Sequence, residues 1–149
     1  MYGMKEQFQE WLDLFLADIG AIAGTVHICE DRGLRLKAAV NIPEIVLQTV
    51  NWLPSGKGMA GLALERGEPI KTCNLKDDSS GNVRPGAKAV NAKAAVAIPI
   101  RDHQGVIVSV VGAAFTDEEE ISDSKIRELT NRAEGLLLHL RNTNHGNKS

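Results

Sequence analysis

The chain has 149 residues, the length of one domain, and its hydrophobic content of 43% is sufficient for a single core without disulfides or structural metals. The formal net charge is −2, with 17 basic and 19 acidic residues spread along the chain, and only 4% of the residues are aromatic. These values exclude a strongly basic or base-stacking surface, so neither nucleic acid nor a membrane is expected as a partner.

The N-terminal segment MYGMKEQFQEWLDLFL contains acidic residues where a signal peptide requires a basic segment and an unbroken apolar run. No stretch approaches the roughly 18 apolar residues of a membrane-spanning helix. We therefore expect a cytoplasmic protein. Its two cysteines, Cys29 and Cys73, belong to no C-x-x-C motif, so neither a disulfide nor a zinc site is expected in that compartment.

The first predicted element is an amphipathic helix from about Met4 to Asp18. Its apolar residues recur at steps of three and four, which indicates one buried stripe. The stripe consists of Phe8, Trp11, Leu12, Phe15, Leu16 and Ile19. The segment GTVHICE then alternates in polarity, and LRLKAAV follows it after the turn EDRG, so the two segments predict antiparallel strands. In the first strand, one face carries Val26 and Ile28, and the other carries Thr25, His27 and Cys29.

The next segment, EIVLQTVNWLPS, places Ile45, Val46, Val50 and Leu53 at helical spacing before Pro54. It leads into SGKGMAGLALERGEPI, whose glycines at 56, 58 and 61 have the G-x-G-x-x-G spacing of a dinucleotide-binding loop. That motif requires a strand before it and a long crossover helix after it. Here a helical segment precedes it, and the helix from about 59 to 66 is short and ends at Gly67. The glycines therefore predict a turn and a short helix, with Met59 and Leu62 packing inward.

The second half of the chain begins with a short strand, PIKTCNL, and a polar, irregular stretch, KDDSSGNVRPGAKAVNAK, with one helical turn near residues 87–91. A hairpin of AAVAIPI and VIVSVVGAAF follows, and its second strand has the two-sided apolar pattern of a central strand. Ser122 is the predicted cap of a final helix, with Ile121 and Ile126 as a hydrophobic staple. The stripe of this helix consists of Ile126, Leu129, Ala133, Leu136, Leu137 and Leu140. The tail, residues 141–149, is expected to be disordered.

This order of elements predicts an α+β fold with an antiparallel sheet. The segment GKGMAGLALERGEPIKTCNL resembles the glycine turn and short helix of the GAF domain family, and AVNAKAAVAIPIRDHQGVIVSVVGAAF resembles the later strands of that family. The resemblance covers about residues 5–140 and implies a single GAF-like domain within 1–149. It also implies a PAS-like sheet, with the terminal helices on one face and the connecting loops and short helices on the other.

The resemblance implies a ligand site between one sheet face and the segment of about residues 73–94. The polar candidates in that segment for contact with a small polar or anionic molecule are Cys73, Asn74, Asp77, Asp78, Arg84 and Lys93. Arg84 or Lys93 would supply the cationic contact. The alternative is an ordinary solvated surface loop. His27 and Cys29 share a strand face that borders such a site, although a buried cysteine more often serves as a small apolar residue.

Three classes of function are compatible with this family. The first is a non-enzymatic sensor or a dimerisation unit that acts through a separate signalling protein, because the chain shows no output domain of its own. The second resembles free methionine sulfoxide reductase, but the polar loop lacks the clustered cysteines that this chemistry uses. The third is a cofactor-bearing sensor, for which Cys73, Asp77 and Asp78 form a weak iron-site candidate. The sequence does not identify a cofactor. For cyclic nucleotides, VVGAAFTDEEE matches only part of the family pattern.

We also expect a homodimer through the terminal helices. Both apolar stripes are wide, and the steps 126, 129, 133, 136 and 140 form a seam of the kind that packs along another helix. Leu14 and Leu138 lie outside the stripes and add apolar surface. In the competing interpretation, the two helices pair within one chain and cover its sheet.

Overall fold

The computed structural model describes residues 4–73, 93–116, 121–138 and 140. The helices are α1 (Met4–Ile19), α2 (Glu44–Val50), α3 (Gly58–Arg66) and α4 (Asp123–Ala133). The strands are β1 (Ala23–Glu30), β2 (Gly33–Val40), β3 (Trp52–Pro54), β4 (Ile70–Cys73), β5 (Ala94–Arg101) and β6 (Ile107–Phe115). They form one antiparallel sheet in the order β3-β2-β1-β6-β5-β4. This confirms the predicted α+β fold.

Helices α1 and α4 cover one side of the sheet, which we call the proximal face. The main core lies between them and sheet residues that include Val26, Ile98 and Val111. From the helices, the buried members of this core are Phe8, Leu12, Phe15, Leu16, Leu129 and Ala133, together with Leu136 beyond α4. Both predicted stripes therefore pack against the sheet of their own chain.

Helices α2 and α3 lie against the opposite side, which we call the distal face. A second core cluster on this side joins Leu34 and Val110 of the sheet to Val50 and Ala63 of the two helices. The strand β6 lies between β1 and β5 and has buried residues on both faces, which confirms that it is a central strand. The sheet thus separates a proximal core from a distal core.

The helix ends follow the predicted local chemistry. Ser122 caps α4, and its Oγ accepts a hydrogen bond from the backbone N–H of Lys125 at 3.1 Å. Gly67 ends α3 in the left-handed conformation, with φ of +69°, and its N–H donates to the carbonyl oxygen of Ala63 at 2.9 Å. The predicted cap of the last helix and the predicted end of the short helix are confirmed.

Two local predictions were wrong. Leu53 does not continue a helix but pairs with Leu34 as part of β3, because the backbone after α2 finds hydrogen-bonding partners along the edge of β2. Leu62 is only half-buried, and the fully buried position of α3 is Ala63, since the helix lies close to the sheet. Within the described ranges, no helix has the length and apolar character needed to cross a bilayer.

Candidate functional site

The floor of the candidate site is a patch of small residues on the distal face. Directly paired residues of antiparallel strands point to the same side of the sheet, so the register of β1, β6 and β5 brings six of them together. They are Ala23, Thr25, Gly112, Ala114, Ala95 and Ala97. Side chains of this size leave space above the sheet that valine or leucine would fill.

The segments around α2 and α3 enclose this space. They contribute Ile42, Val46, Val50, Leu53, Gly58, Met59 and Ala60 to the walls of a pocket with a volume of about 130 Å³. Among the described residues that line it, only Thr25 and His27 have polar side chains, and none carries a formal charge at neutral pH. The arrangement is that of an apolar ligand pocket with few polar groups.

The glycine turn before α3 positions one wall of the pocket. Gly56 and Gly58 have φ values of +92° and +67°, which other residues rarely adopt. The N–H of Gly56 donates to the carbonyl oxygen of Gly61 at 2.8 Å, which closes the turn. Met59 follows directly and lines the pocket. The predicted role of these glycines, a turn that leads into a short helix, is confirmed.

His27 contributes a buried polar group to the pocket. Its side chain is 2% exposed, and its Nε2 lies 2.9 Å from the carbonyl oxygen of Val50 in α2. A carbonyl oxygen accepts hydrogen bonds and cannot donate them, so Nε2 is the donor and carries the proton. Burial lowers the pKa of His27 below its ordinary value, although the bond to Val50 acts in the opposite direction. The neutral ring is therefore favoured.

The second ring nitrogen of His27 has no hydrogen-bond partner among the described residues. With the proton on Nε2, Nδ1 is an acceptor with a free lone pair. Buried polar atoms of folded proteins are nearly always paired, so Nδ1 is an exception, and its own surface is buried beneath the lining of the pocket.

The structure tests little of the site that the sequence predicted. Asn74, Asp77, Asp78 and Arg84 lie outside the described residues, as does the predicted helical turn in the polar loop. Cys73 is described only as the last residue of β4.

Lys93, the remaining candidate, immediately precedes β5. Its N–H donates to the carbonyl oxygen of Phe115 at 2.8 Å, and it is not among the residues that line the described pocket. The polar site between Cys73 and Lys93 stays a prediction.

The two border residues of the first strand have different environments. His27 lines the pocket, whereas Cys29 packs with the apolar cluster of Leu34 and Leu36 and does not reach the pocket. Partial burial raises the pKa of the Cys29 thiol to about 11, so its reactive thiolate is scarce at neutral pH.

A second hollow lies beside the β5–β6 hairpin. It is bordered by Cys29, by His103 in the hairpin turn, and by Leu137 and Leu140 near the end of the described chain. The side chain of His103 is exposed. In the part of the chain that the structure describes, no group of three His, Cys, Asp or Glu side chains is arranged to hold a metal ion.

The sequence profile of the family described as "GAF domain" matches residues 3–138, which is nearly the whole chain. The chain belongs to the GAF domain family. Domains of this family are generally sensory, ligand-binding modules of signalling proteins. The comparison with curated protein sequences gives no match.

Solved structures show the same fold at low sequence identity. A GAF domain from a phosphoenolpyruvate-protein phosphotransferase of Coxiella burnetii is 17% identical, with a TM-score of 0.78 over 100% of this GAF domain and 89% of that chain. A type II free methionine-R-sulfoxide reductase of Thermoplasma acidophilum is 14% identical, with a TM-score of 0.73 over 95% and 97% of the two chains.

A domain of a putative two-component sensor histidine kinase from Sinorhizobium meliloti is 15% identical, with a TM-score of 0.72 over 97% of this chain and 94% of that chain. At these identities the likeness supports the fold alone, since one fold carries both sensors and enzymes.

Proposed function

We propose that this GAF domain is a non-enzymatic sensor that binds a small molecule in the distal pocket and signals through a separate protein. The observation that carries the proposal is the pocket itself, a ligand-sized space over a floor of small residues. Such a combination of apolar walls and a few polar groups is typical of ligand sites.

A pocket-filling substitution tests this function. In Ala95→Leu, the larger side chain occupies space above the floor, where Ala95 is buried. Native mass spectrometry of freshly purified wild type is expected to show a retained ligand as a discrete added mass, and Ala95→Leu is expected to lose it. The matched control is Ala17→Leu on the exposed side of α1, which should keep the ligand.

Thermal unfolding provides the second readout. A ligand at a hundred times its dissociation constant stabilises the folded state by about 2.7 kcal/mol. A metabolite screen should therefore find compounds that raise the Tm of the wild type and of Ala17→Leu but leave Ala95→Leu unchanged. Ala114→Val fills less space and should weaken the effect in part. Equal Tm increases in all four proteins would place the ligand elsewhere and refute the proposal.

The ligand chemistry predicted from the polar loop needs its own test. Arg84 and Lys93 were the expected cationic contacts for a polar or anionic molecule, whereas the described walls favour an uncharged and mostly apolar one, since burial of an unpaired anion is costly. Arg84→Ala and Lys93→Ala should each reduce the affinity for an anionic hit at least tenfold, if these residues hold it. Unchanged affinities would remove both from the site.

The absence of enzymatic activity is also part of the proposal. Free methionine sulfoxide reduction requires a reactive thiolate and a resolving thiol, and Cys29 is a poor nucleophile because of its raised pKa. We expect no turnover of free methionine sulfoxide with a thiol reductant. Turnover that disappears in Cys73→Ser would contradict this expectation.

A further inference from the structure

One pair of residues in the pocket floor is partly exposed, namely Thr25 of β1 and its direct partner Gly112 of β6. Within residues 23–27 of β1, Thr25 alone is not buried, and within residues 109–114 of β6, Gly112 alone is not buried. Both strands lie between two others, so hydrogen bonds to the neighbouring strands cover their backbone edges. The space above the sheet therefore reaches the floor at this pair.

Gly112 leaves room for the Thr25 side chain. The backbone of Gly112 does not require a glycine, since its φ is not positive and its pairing with β1 and β5 is regular at this position. A Cβ atom there would lie 2.8 Å from Oγ1 of Thr25, so this hydroxyl extends over Gly112. A glycine inside a strand often marks a place where a ligand approaches the backbone closely.

The Thr25 hydroxyl is available for a ligand. The neighbouring polar side chains of His27 and Ser109 each bond a backbone carbonyl oxygen, whereas no hydrogen bond joins the Thr25 hydroxyl to another described residue. Nδ1 of His27 is fully buried, but the Thr25 side chain is partly exposed and lines the pocket. A hydroxyl both donates and accepts hydrogen bonds, so it can pair with a hydroxyl, a carbonyl or an amide.

The size and walls of the pocket define the rest of the ligand. The volume of about 130 Å³ is close to that of a cavity of about 150 Å³ that is known to bind benzene. Met59, Val46 and Leu53 present hydrocarbon or thioether surface to this space. A polar group of the ligand that faced these walls would lose its water partners without replacement, which is costly. The pocket therefore favours a compact apolar body with its polar group at Thr25.

We infer that Thr25 is the specificity-determining residue of the pocket, and that its hydroxyl forms a hydrogen bond with the one polar group of an uncharged, otherwise apolar small molecule of about the size of benzene. The inference rests on the proposed function, since it assigns the ligand class of the same pocket. It differs from the anionic ligand that the polar loop predicts.

Phenol and toluene are matched ligands for a test, because they have nearly the same size and phenol has a hydroxyl where toluene has a methyl group. NMR titration gives both dissociation constants, and their ratio measures the affinity for phenol relative to toluene. In Thr25→Val a methyl group replaces the threonine hydroxyl at nearly the same shape, and valine suits a strand. The relative affinity for phenol should fall at least about fivefold in this variant, since the buried phenol hydroxyl loses its partner. An unchanged ratio would overturn the inference.

Two control variants separate the hydroxyl from other effects of substitution. Thr25→Ser keeps the hydroxyl and should retain the relative affinity of the wild type for phenol. Thr130→Val makes the same chemical change at a partly buried position of α4, on the proximal side of the sheet, and should also leave the ratio unchanged. A ratio that falls as far in Thr130→Val as in Thr25→Val would contradict a specific role of Thr25.

Two measurements on the wild type need no variant. Isotope-filtered NMR should show nuclear Overhauser effects between the ring protons of bound phenol and the methyl group of Thr25, and their absence would overturn the inference. Benzoate, an anion of similar size, should bind more weakly than phenol. Tighter binding of benzoate would overturn the uncharged ligand class in favour of the anionic ligand predicted from the polar loop.

The outcomes separate this inference from the proposed function. If Ala95→Leu blocks phenol and toluene and the ratio is unchanged in Thr25→Val, the inference is overturned and the pocket stands. If both compounds bind equally well to Ala95→Leu, the ligand site is elsewhere and the proposed function fails as well. Absence of phenol binding to the wild type overturns the inference, and the retained ligand in native mass spectrometry then decides the proposed function separately.

Discussion

At the scale of single residues, the burial of His27 couples the stability of the domain to pH. Burial lowers its pKa in the folded state, whereas the unfolded chain returns to the ordinary value of 6.5. As the pH falls through 6.5, the unfolded chain takes up a proton that the folded protein does not bind, so the free energy of unfolding falls. The loss continues until the pH reaches the folded-state pKa.

We therefore expect His27→Leu to remove part of the pH dependence of stability. The contribution of one such group is at most about 1.4 kcal/mol per pH unit. Urea unfolding of the wild type and of His27→Leu from about pH 5 to about pH 8 covers the relevant range. The difference in unfolding free energy between them should change below pH 6.5 and be constant above it. A constant difference at every pH would contradict the buried neutral histidine.

The Cys29 thiol makes a second prediction at this scale. A pKa of about 11 in place of 9.0 leaves about a hundredfold less thiolate at pH 8, and the thiolate is the species that reacts. Alkylation by iodoacetamide, followed by peptide mass mapping, should be slower by about this factor at Cys29 in the folded protein than in the urea-unfolded chain. Equal rates would mean that Cys29 is accessible and unperturbed, and they would revive the thiol-enzyme interpretation.

At the scale of elements, α3 owes its position to a glycine in its first turn. A Cβ atom at Gly61 would lie 2.8 Å from the carbonyl oxygen of Pro54 and 3.2 Å from backbone atoms of Gly56. These neighbours are backbone atoms, so they cannot move aside as a flexible side chain could. The missing side chain lets the helix pack against β3 and the glycine turn, which form one wall of the pocket.

We expect Gly61→Ala to destabilise the domain by about 1 to 3 kcal/mol, the usual cost of overpacking. In an unconstrained helix the same change would stabilise by up to about 1 kcal/mol, so the sign of the effect tests the close approach. Urea unfolding measures the change, and Arg66→Ala at the exposed end of α3 is the control, expected within about 0.5 kcal/mol of the wild type. A stabilised Gly61→Ala protein would refute the packing described here.

The elements that the sequence predicted best are those whose pattern is local. The stripe that includes Phe8 and Leu12 has helical spacing, and the cap Ser122 and the end at Gly67 depend on neighbouring residues alone. Leu53 was assigned wrongly because its strand exists only through pairing with β2, which no local pattern shows.

The candidate site was harder to predict because it depends on contacts between distant segments. Small residues at alternate positions, such as Ala95 and Ala97, are visible in the sequence, but nothing local places them beside Thr25 of β1. The partner of His27 Nε2 is a backbone carbonyl of α2, which carries no residue-specific signal. The sequence-based site prediction used the polar residues of the loop, since polarity is the usual sequence sign of a site, and most of those residues lie outside the described ones.

At the scale of the whole molecule, the terminal helices are part of the core of their own chain. Leu129, Ala133 and Leu136 of the predicted seam are fully buried against the sheet and α1. Arg132 of α4 forms an ion pair with Asp18 of α1, which also joins the two helices within one chain. These contacts accord with the competing interpretation of the stripes, and the homodimer stays a prediction that must use other surface.

The surface left for such a dimer includes two exposed leucines. Leu14 of α1 is 73% exposed, and Leu138, beyond α4, is 63% exposed. The other stripe residues, Trp11, Ile19, Ile126, Leu137 and Leu140, are partly buried and pack against the core. Burial of each of the two exposed leucine side chains in an interface would contribute about 1.5 to 3 kcal/mol.

We expect the double variant Leu14→Lys with Leu138→Lys to be a folded monomer, because lysine at an exposed position is tolerated in one chain but places unpaired charges in an apolar interface. Sedimentation equilibrium at micromolar concentration should give the mass of two chains for the wild type and of one chain for the double variant. The control is Ile45→Lys, because Ile45 of α2 is 75% exposed and distant in sequence from both terminal helices. This control variant should remain dimeric. A wild type with the mass of one chain at every concentration would refute the dimer. A double variant that still has the mass of two chains would place the interface away from the terminal helices.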